Sequence, residues 1–293
     1  MKTRGHLWPA NSGIAIVGPG RIGQAMGKLL AQAGLPVRFV VARRLAAARR
    51  GVGFIGCGEP VELRALAWLA ARVFLLTTAD SALSTLAQDL SNRRGDWAGK
   101  VVLHTCGSLP ASVLRALRRR GAAIGCLHPY QTVPSPAAGV RNLVGAYWGV
   151  EGDAAACQVA RRLARALGGV VFRVYPRQKT LYHLSAFLVC PTTLTLLERS
   201  MRLLRRAGVP ARIARPMLSR FVTETVQNFA ELGARRAMTG PAVRGDWSTI
   251  ERHLRALRRA YPDLIPTYKV LLGAMLRLTG RRPPRQWREV IQA

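Results

Sequence analysis

The stretch that most constrains the fold is GIAIVGPGRIG, residues 13–23. A short apolar run ends in glycine, and a helical pattern begins directly after it at Arg21. Gly18, Gly20 and Gly23 stand in the spacing GxGxxG. In such a loop the first glycine allows a tight turn, the second lets the backbone approach a pyrophosphate, and the third lets the helix pack closely on the strand. The pattern predicts a strand–turn–helix unit that binds a dinucleotide; the alternative is a glycine-rich turn that binds nothing.

Short apolar runs continue through the first half of the chain, at residues 37–44, 72–79, 100–107, 122–129, 146–152 and 169–174. Helical segments separate most of them, which is typical of a doubly wound α/β domain whose parallel strands are buried on both faces. From residue 177 onward only helical periodicity remains, so the second half is predicted to be all-helical. Pro191 should kink or end the first long helix of that half.

These patterns predict a tail over residues 1–11, an α/β domain over 12–175 and a helical domain over 176–293. No apolar run combines the length and freedom from charge that a membrane span needs, and the first residues lack the apolar core of a signal peptide. The five cysteines are scattered, with neither metal-ligand spacing nor a disulfide framework. A cytoplasmic protein without a metal site is therefore expected.

The formal net charge of +31 invites a nucleic-acid interpretation. The positive charge comes from forty arginines and only five lysines, and it is spread through helices without a long basic tail. This distribution, in a chain rich in Ala, Leu and Gly, fits a bias of overall composition, and no zinc-finger or RNA-platform motif accompanies it. An arginine-rich nucleic-acid binder is the least favoured of the functional hypotheses.

The end of the second predicted strand bears on the choice of cofactor. NAD-binding folds usually place an acid there, about 20 residues after the loop, to hold the ribose 2′-hydroxyl. This chain instead offers Arg43 and Arg44, with no acid between Arg38 and Arg50. A guanidinium can bind a 2′-phosphate through paired hydrogen bonds, so NADP(H) is the predicted cofactor, although arginine is common throughout the chain. The predicted contacts of its pyrophosphate are Gly18, Pro19, Gly20, Arg21, Ile22 and Gly23.

Polar residues follow three of the predicted strands, where ligands of open α/β sheets bind. Thr77, Thr78 and Asp80 are expected to line the nicotinamide-ribose side, with the alternative that Asp80 is the N-cap of the next helix. His104 and His128 each stand at a strand end. Each is either a substrate contact or a structural histidine, and His128 is the one placed in the candidate site.

Lys179 is unusual in a chain that hardly uses lysine, and it precedes His183 by four residues. On a helix the two side chains share one face and can reach a single substrate oxygen. Lysine can give a proton to a carbonyl oxygen while hydride arrives at its carbon, which arginine cannot do. Lys179 is therefore predicted as a general acid and His183 as its partner; a solvated lysine on a helix face is the alternative.

The stretch MTGPAVRGDWSTIERHL, residues 238–254, is the other distinctive segment. Arg244 can hold a substrate carboxylate through two hydrogen bonds, or it can pair with Asp246 across the turn. Both residues are included in the predicted substrate site. Ser248 and Glu251 have the spacing of a capping box for the following helix.

The motifs GPGRIG, LHPYQTVP, KTLYH and TGPAVRGDWSTIERH together resemble the bacterial Rossmann-like proteins with a DUF2520 C-terminal domain. These are similar in architecture to ketopantoate reductase, pyrroline-5-carboxylate reductase and the 3-hydroxyacid dehydrogenases related to 6-phosphogluconate dehydrogenase. The resemblance implies an NADP-binding domain and a helical domain that often dimerises, so a homodimer is expected. It also implies a catalytic lysine at Lys179, while His183 stands where the hydroxyacid dehydrogenases have asparagine.

The sequence therefore predicts an NADP(H)-dependent reductase of a small, anionic carbonyl compound such as a 2-keto acid. The alternative is a non-catalytic NADP-binding sensor or regulatory protein.

Overall fold

Residues 13–287 are described by the structure, a computed structural model, apart from the side chains of residues 67 and 68. The predicted tail over residues 1–11 lies outside this range. The first part of the chain forms one eight-stranded sheet with the order β3-β2-β1-β4-β5-β6-β7-β8. The strands are β1 (Gly13–Val17), β2 (Val37–Ala42), β3 (Glu59–Glu62), β4 (Ala71–Leu76), β5 (Val101–His104), β6 (Ala123–Pro129), β7 (Tyr147–Gly152) and β8 (Val170–Arg173).

The first six strands run parallel to one another, whereas β7 is antiparallel to β6 and β8 runs parallel to β7. The predicted α/β class is confirmed. The short strand β3 and the reversal at β7 were not predicted. Because β1, β4, β5 and β6 are parallel, their carboxyl ends share one edge of the sheet, and the antiparallel strand β7 begins at that same edge.

The described α-helices are α1 (Arg21–Gln32), α2 (Leu45–Ile55), α3 (Leu83–Asn92), α4 (Arg115–Arg118), α5 (Pro136–Asn142), α6 (Ala154–Ala166), α7 (Lys179–Arg206), α8 (Ala211–Ala237), α9 (Pro241–Arg244), α10 (Trp247–Ala260) and α11 (Ile265–Thr279). Five short 3-10 helices join these elements, at Leu63–Trp68, Asp80–Ala82, Ala111–Leu114, Pro176–Gln178 and Pro262–Leu264.

Apolar side chains are buried on both faces of the sheet. Along β1, Ile14 and Ile16 pack with one core and Ala15 and Val17 with the other, as the alternation of side chains along a strand requires. Helices α1 and α6 contribute to the first core, and α3 contributes to the second. This double covering explains why the strands read as continuous apolar runs in the sequence.

The chain divides into two compact units, of which the first ends at Leu194 and the second begins at Thr195. The predicted division at residue 175 lies at the end of the sheet, whereas the compact units divide inside α7. The first turns of α7, including Lys179 and His183, therefore belong to the same unit as the sheet.

Helix α7 continues through Pro191, so the predicted early end is wrong. Proline cannot donate to the carbonyl of the residue four positions earlier, Phe187. The hydroxyl of Thr192 donates to that carbonyl oxygen at 2.8 Å and replaces the missing bond. In α8 the break occurs instead at Gly233, whose φ of 72° is not helical.

The helix spanning Pro176–Arg206 is long and apolar enough to cross a membrane by length and composition, with a mean hydropathy of 1.4 in its most apolar window. The expectation that the chain contains no such run is therefore wrong. Apolar side chains of this helix are exposed in the structure, among them Leu181, Leu188 and Val189.

The second unit has a small core of its own. Ile250 and Leu254 of α10 pack with Leu272 and Leu276 of α11, and Trp287 joins them. Helix α11 ends at Gly280, whose φ of 71° is the left-handed conformation that glycine adopts readily.

Candidate cofactor and active site

The loop between β1 and α1 has the geometry that its glycines predicted. Gly18 has a φ of 86°, and a Cβ there would lie 2.6 Å from Cγ2 of Thr78. A Cβ on Gly23 would overlap the Thr77 hydroxyl and come within 2.7 Å of the Gly18 carbonyl oxygen. Gly20 differs, because it is exposed and a Cβ there would meet nothing closer than 4.0 Å. The space over Gly20 is therefore open to a ligand.

Of the other predicted loop residues, Pro19 and Ile22 pack against the protein, whereas Arg21 is exposed. Pro19 packs against Gly51, where a Cβ would lie 2.7 Å from the proline ring, and Ile22 packs on the core of the sheet. Arg21 is exposed at the first position of α1, and no side chain caps this helix. The first amides of α1 are left to an anion, as in dinucleotide-binding loops.

Thr77 and Thr78 follow β4, and their hydroxyl groups differ in their hydrogen bonds. The Thr77 hydroxyl donates to the carbonyl oxygens of Val17 and Gly18, at 3.1 and 2.7 Å, so it braces the glycine loop. The Thr78 hydroxyl is buried and has no hydrogen-bond partner among the described residues. A buried polar atom without a partner is costly, and a bound ligand beside Gly18 would satisfy it.

Asp80 begins the 3-10 helix Asp80–Ala82, and the residue before α3 is Ala82, so Asp80 is not the N-cap of α3. Its carboxyl group lies close to the Cys106 thiol. Burial raises the pKa of Cys106, and the hydrogen bond with Asp80 raises it further. The Asp80 carboxylate therefore contacts the loop that follows β5.

Arg43 and Arg44 are exposed at the end of β2, and Arg44 is the N-cap residue of α2. Neither forms an ion pair among the described residues. An acid does lie nearby: Glu62 of β3 stands opposite Ala42, and its carboxylate pairs with Arg64 at 2.7 Å. Because β3 was not predicted, the position of this acid beside β2 was not predicted either.

A row of polar side chains crosses the sheet beneath the start of α7. His104, Cys126 and Glu151 are register partners on β5, β6 and β7, so their side chains share one face. Their potential ligand atoms lie within 4.8 Å of one another, and all three residues are buried. Histidine, thiolate and carboxylate are also the ligands that zinc prefers.

The ammonium group of Lys179 lies in this row. It is 2% exposed, and its Nζ lies 2.9 Å from Sγ of Cys126, 3.1 Å from the carbonyl oxygen of Cys106 and 3.6 Å from Oε1 of Glu151. Glu151 also accepts the backbone N–H of Ala111. The ammonium group therefore supplies the positive charge that a metal ion would otherwise bring to these groups, and it contacts Cys106, Cys126 and Glu151.

Two of the side chains in the row, His104 and Cys126, are uncharged. Burial, followed by the Lys179 ammonium, lowers the pKa of His104 to about 3. Burial raises the pKa of Cys126 to about 12, although Lys179 opposes this rise. A neutral imidazole and a protonated thiol thus surround one Lys–Glu ion pair.

Beside this row, on the same face of the sheet, lies a group of aromatic side chains: His128, Tyr182 and His183. His128 is two residues after Cys126 on β6, and its Nδ1 forms a 2.6 Å hydrogen bond with the hydroxyl of Tyr182. The rings of His128 and His183 are 6.2 Å apart. Burial chiefly, then Lys179 and His183, lowers the pKa of His128 to about 3. Lys179, Tyr182 and His183 are at i, i+3 and i+4, so one face of α7 presents all three.

Two glycines give these rings their space. A Cβ on Gly107, after β5, would lie 2.6 Å from Nε2 of His128 and 2.7 Å from Cδ2 of His183. A Cβ on Gly149, opposite His128 on β7, would lie 2.9 Å from the Tyr182 hydroxyl. The sequence-based prediction included neither glycine, nor Glu151, Cys126 or Tyr182. The one available signal was Glu151, an acid in an otherwise apolar strand.

Arg244 and Asp246 belong to the second unit. Arg244 is exposed at the end of α9, whereas Asp246 is the N-cap of α10 and accepts from the Thr249 amide at 3.0 Å. Hydrogen bonds from Thr249 and Ser248 lower the pKa of Asp246 to about 2. The predicted Ser248–Glu251 capping box is wrong, because Asp246 occupies the cap and Ser248 donates to it.

Family models match both parts of the chain. A Rossmann-like domain matches residues 1–129, and the domain of unknown function DUF2520 matches residues 146–274. The chain is a Rossmann-like protein with a DUF2520 domain. No curated protein sequence matches it significantly.

Solved structures share its fold over most of their length. The Bacteroides fragilis protein BF3122, a candidate NADP oxidoreductase, is 24% identical with a TM-score of 0.73, covering 92% of this chain and 99% of its own. A protein from Thermotoga maritima is 18% identical with a TM-score of 0.71, covering 91% and 98%. Pyrroline-5-carboxylate reductase from Coxiella burnetii is 14% identical with a TM-score of 0.59, covering 92% and 99%. At these identities the likeness establishes the fold.

Proposed function

We propose that this protein is an NADP(H)-dependent oxidoreductase that reduces a small, anionic carbonyl compound such as a 2-keto acid. The observation that carries the proposal is the loop after β1, where Gly20 is open to a ligand and the buried Thr78 hydroxyl lacks a protein partner. Similar folds occur in a reductive aminase from Aspergillus terreus solved with NADPH and in an archaeal, NADH-preferring ketol-acid reductoisomerase.

Different residues of the chain would bind the different parts of the cofactor. Gly18, Gly20 and the first amides of α1 hold the pyrophosphate, and Thr78 contacts the adjoining ribose. Arg43 and Arg44 hold the 2′-phosphate. When bound, the reduced nicotinamide supplies hydride. The positive net charge attracts an anionic substrate.

The predicted role of Lys179 as the general acid needs the ammonium group to leave its present partners. In the structure the group is buried and bonded to Cys106, Cys126 and Glu151. The exposed side chain on the same helix face is His183. We therefore propose that protons reach the substrate by way of His183, while Lys179 holds the start of α7 on the sheet.

Cofactor binding tests the proposal directly. Fluorescence titration should give an NADPH affinity about ten- to a hundredfold higher than that for NADH, because charge-assisted hydrogen bonds to the 2′-phosphate contribute about 1.5–3 kcal/mol. Replacing Arg43 and Arg44 by alanine should remove most of this difference. The matched control replaces Arg49 and Arg50, which are exposed on α2, and should keep it.

Failure of both nucleotides to bind would overturn the proposal. If NADPH binds, its oxidation with a panel of 2-keto acids and imines separates an enzyme from the alternative, a non-catalytic NADP-binding sensor. Binding without turnover of any member of the panel would favour the sensor.

A further inference from the structure

The imidazole of His128 is held by a hydrogen bond with Tyr182 and by ring contacts with Tyr182 and His183. We propose that His128 is a catalytic residue whose Nε2–H donates a hydrogen bond to the carbonyl oxygen of the substrate. Tyr182 and Lys179 are positioning residues for it. This inference rests on the proposed function, since it assigns the oxygen-binding group of that reaction.

The hydrogen bond with Tyr182 decides which nitrogen of His128 carries the proton. A phenol hydroxyl can donate one hydrogen, and Nδ1 of His128, at 2.6 Å, is its acceptor among the described contacts. If Nδ1 donated instead, the phenol hydrogen would have no acceptor there. With Tyr182 donating, Nδ1 is the acceptor and the proton resides on Nε2.

His128 lies near the carboxyl end of β6, at the edge of the sheet where ligands of this fold bind. It lies beside the backbone of Gly107, and His183 approaches the same glycine from α7. Gly107 has an ordinary φ, so glycine is required here by space and not by backbone conformation. A side chain at this position would clash with both imidazoles and displace them, so glycine is what lets the two rings lie together against this backbone.

A neutral donor suits this task. As hydride reaches the carbonyl carbon, the electron pair of the C=O bond moves to oxygen, and a fixed N–H group stabilises the negative charge that develops. The oxygen then takes a proton from the imidazolium form of His183, which is left as neutral imidazole and takes a proton from solvent. The groups facing His128 are Tyr182, His183 and, behind them, Lys179, and burial among them keeps the imidazole uncharged.

Lys179 acts on this arrangement indirectly. Its ammonium holds the first turn of α7 against Cys106 after β5, Cys126 in β6 and Glu151 in β7. Tyr182 stands one turn further along the same face, so the buried lysine sets where its hydroxyl meets His128. Neither positioning residue needs to touch the substrate.

The test compares variants of the full-length protein in three measurements: NADPH binding, steady-state oxidation of NADPH with the 2-keto acid panel, and long-range ¹H–¹⁵N spectra of the imidazoles. The chain has only five histidines, so their signals can be assigned by substitution. The variants are His128→Leu, His128→Gln, which retains an N–H donor, and Tyr182→Phe. The matched control is His253→Leu, because His253 Nδ1 and the Tyr268 hydroxyl form a similar pair, 3.0 Å apart, in the second unit.

We expect His128→Leu to lower kcat about a hundred- to a thousandfold with NADPH affinity unchanged, and His128→Gln to recover part of that loss. His128 should show the Nε2–H form in the wild-type spectrum, and Tyr182→Phe should mix the two tautomers while lowering kcat. His253→Leu should keep the wild-type rate.

Two results would overturn the inference alone: wild-type turnover by His128→Leu, or a dominant Nδ1–H form of His128 in the wild-type protein. The spectrum decides the second of these even where His128→Leu does not fold or no panel member is reduced. Absence of NADPH binding by the wild-type protein overturns the proposed function, and this inference falls with it.

Discussion

The Nζ atom of Lys179 lies 2.9 Å from Sγ of Cys126, at the first residue of α7 and the middle of β6. Both side chains are buried, and the Lys179 Nζ also lies 3.6 Å from Oε1 of Glu151, with which it forms an ion pair. The lysine thus joins a helix to three successive strands, while its charge is neutralised inside the protein. These contacts make Lys179 a structural residue of the fold.

Replacing Lys179 by methionine should therefore lower the free energy of unfolding. The change leaves the Glu151 carboxylate buried without its ion partner, which typically costs about 3–5 kcal/mol. Urea denaturation of Lys179→Met measures the loss, with Lys269→Met, a partly exposed lysine of α11, as the control.

The double variant Lys179→Met, Glu151→Gln should recover a substantial part of this loss, because the amide can still accept the Ala111 N–H without a buried charge. If Lys179→Met is as stable as the wild type and yet inactive, Lys179 is a catalytic residue and our structural assignment is wrong.

The difference between local and distant contacts explains what the sequence could predict. The loop GPGRIG, its strand and its helix are neighbours in the chain, so spacing alone predicts their geometry. The site depends on register: Glu151 meets Lys179 only because β7 runs antiparallel and pairs it with Cys126. No local pattern encodes that reversal. Likewise, Asp246 and Ser248 are equally good caps by residue type, and the backbone of the turn decides between them.

The glycine loop provides a matched pair of substitutions. Gly20→Ala should fold with wild-type stability, because a Cβ there meets nothing closer than 4.0 Å, and it should weaken NADPH binding by obstructing the pyrophosphate. Gly23→Ala should instead lower stability by about 1–3 kcal/mol, because its methyl group overlaps the Thr77 hydroxyl. Thermal melts and NADPH titration of both variants separate the effects. Unchanged NADPH affinity in Gly20→Ala would show that the pyrophosphate does not bind at this loop.

Acid should destabilise the protein below the ordinary pKa of histidine. The pKa of both His104 and His128 falls from 6.5 to about 3 on folding, so the unfolded chain binds more protons between those values. Stability is then fully present above pH 6.5 and is lost as the pH falls towards 3, by up to about 1.4 kcal/mol per pH unit for each histidine. Denaturation midpoints measured across this range check the slope.

Two substitutions separate the groups responsible for this slope. Between pH 6.5 and 3, His104→Gln should lower the number of extra protons bound by the unfolded state by up to one, and the slope should fall accordingly. Asp246→Asn should change the slope only below about pH 4, because the pKa of Asp246 falls from 3.8 to about 2. An unaltered slope in His104→Gln would mean that His104 is not buried in its neutral form.

The expected homodimer remains a prediction, and the apolar surface of α8 indicates where to test it. Phe221 and Phe229 are about two turns apart on this helix and are 70% and 59% exposed, and exposed large apolar side chains are typical of association surfaces. We expect a second copy of the chain to cover them. Sedimentation should then show a dimer for the wild type and a monomer for the variant Phe221→Glu, Phe229→Glu. Ser219→Glu places the same charge at an exposed polar position of α8 and should stay dimeric. A monomeric wild type, or a dimer that survives both phenylalanine substitutions, would contradict this assignment.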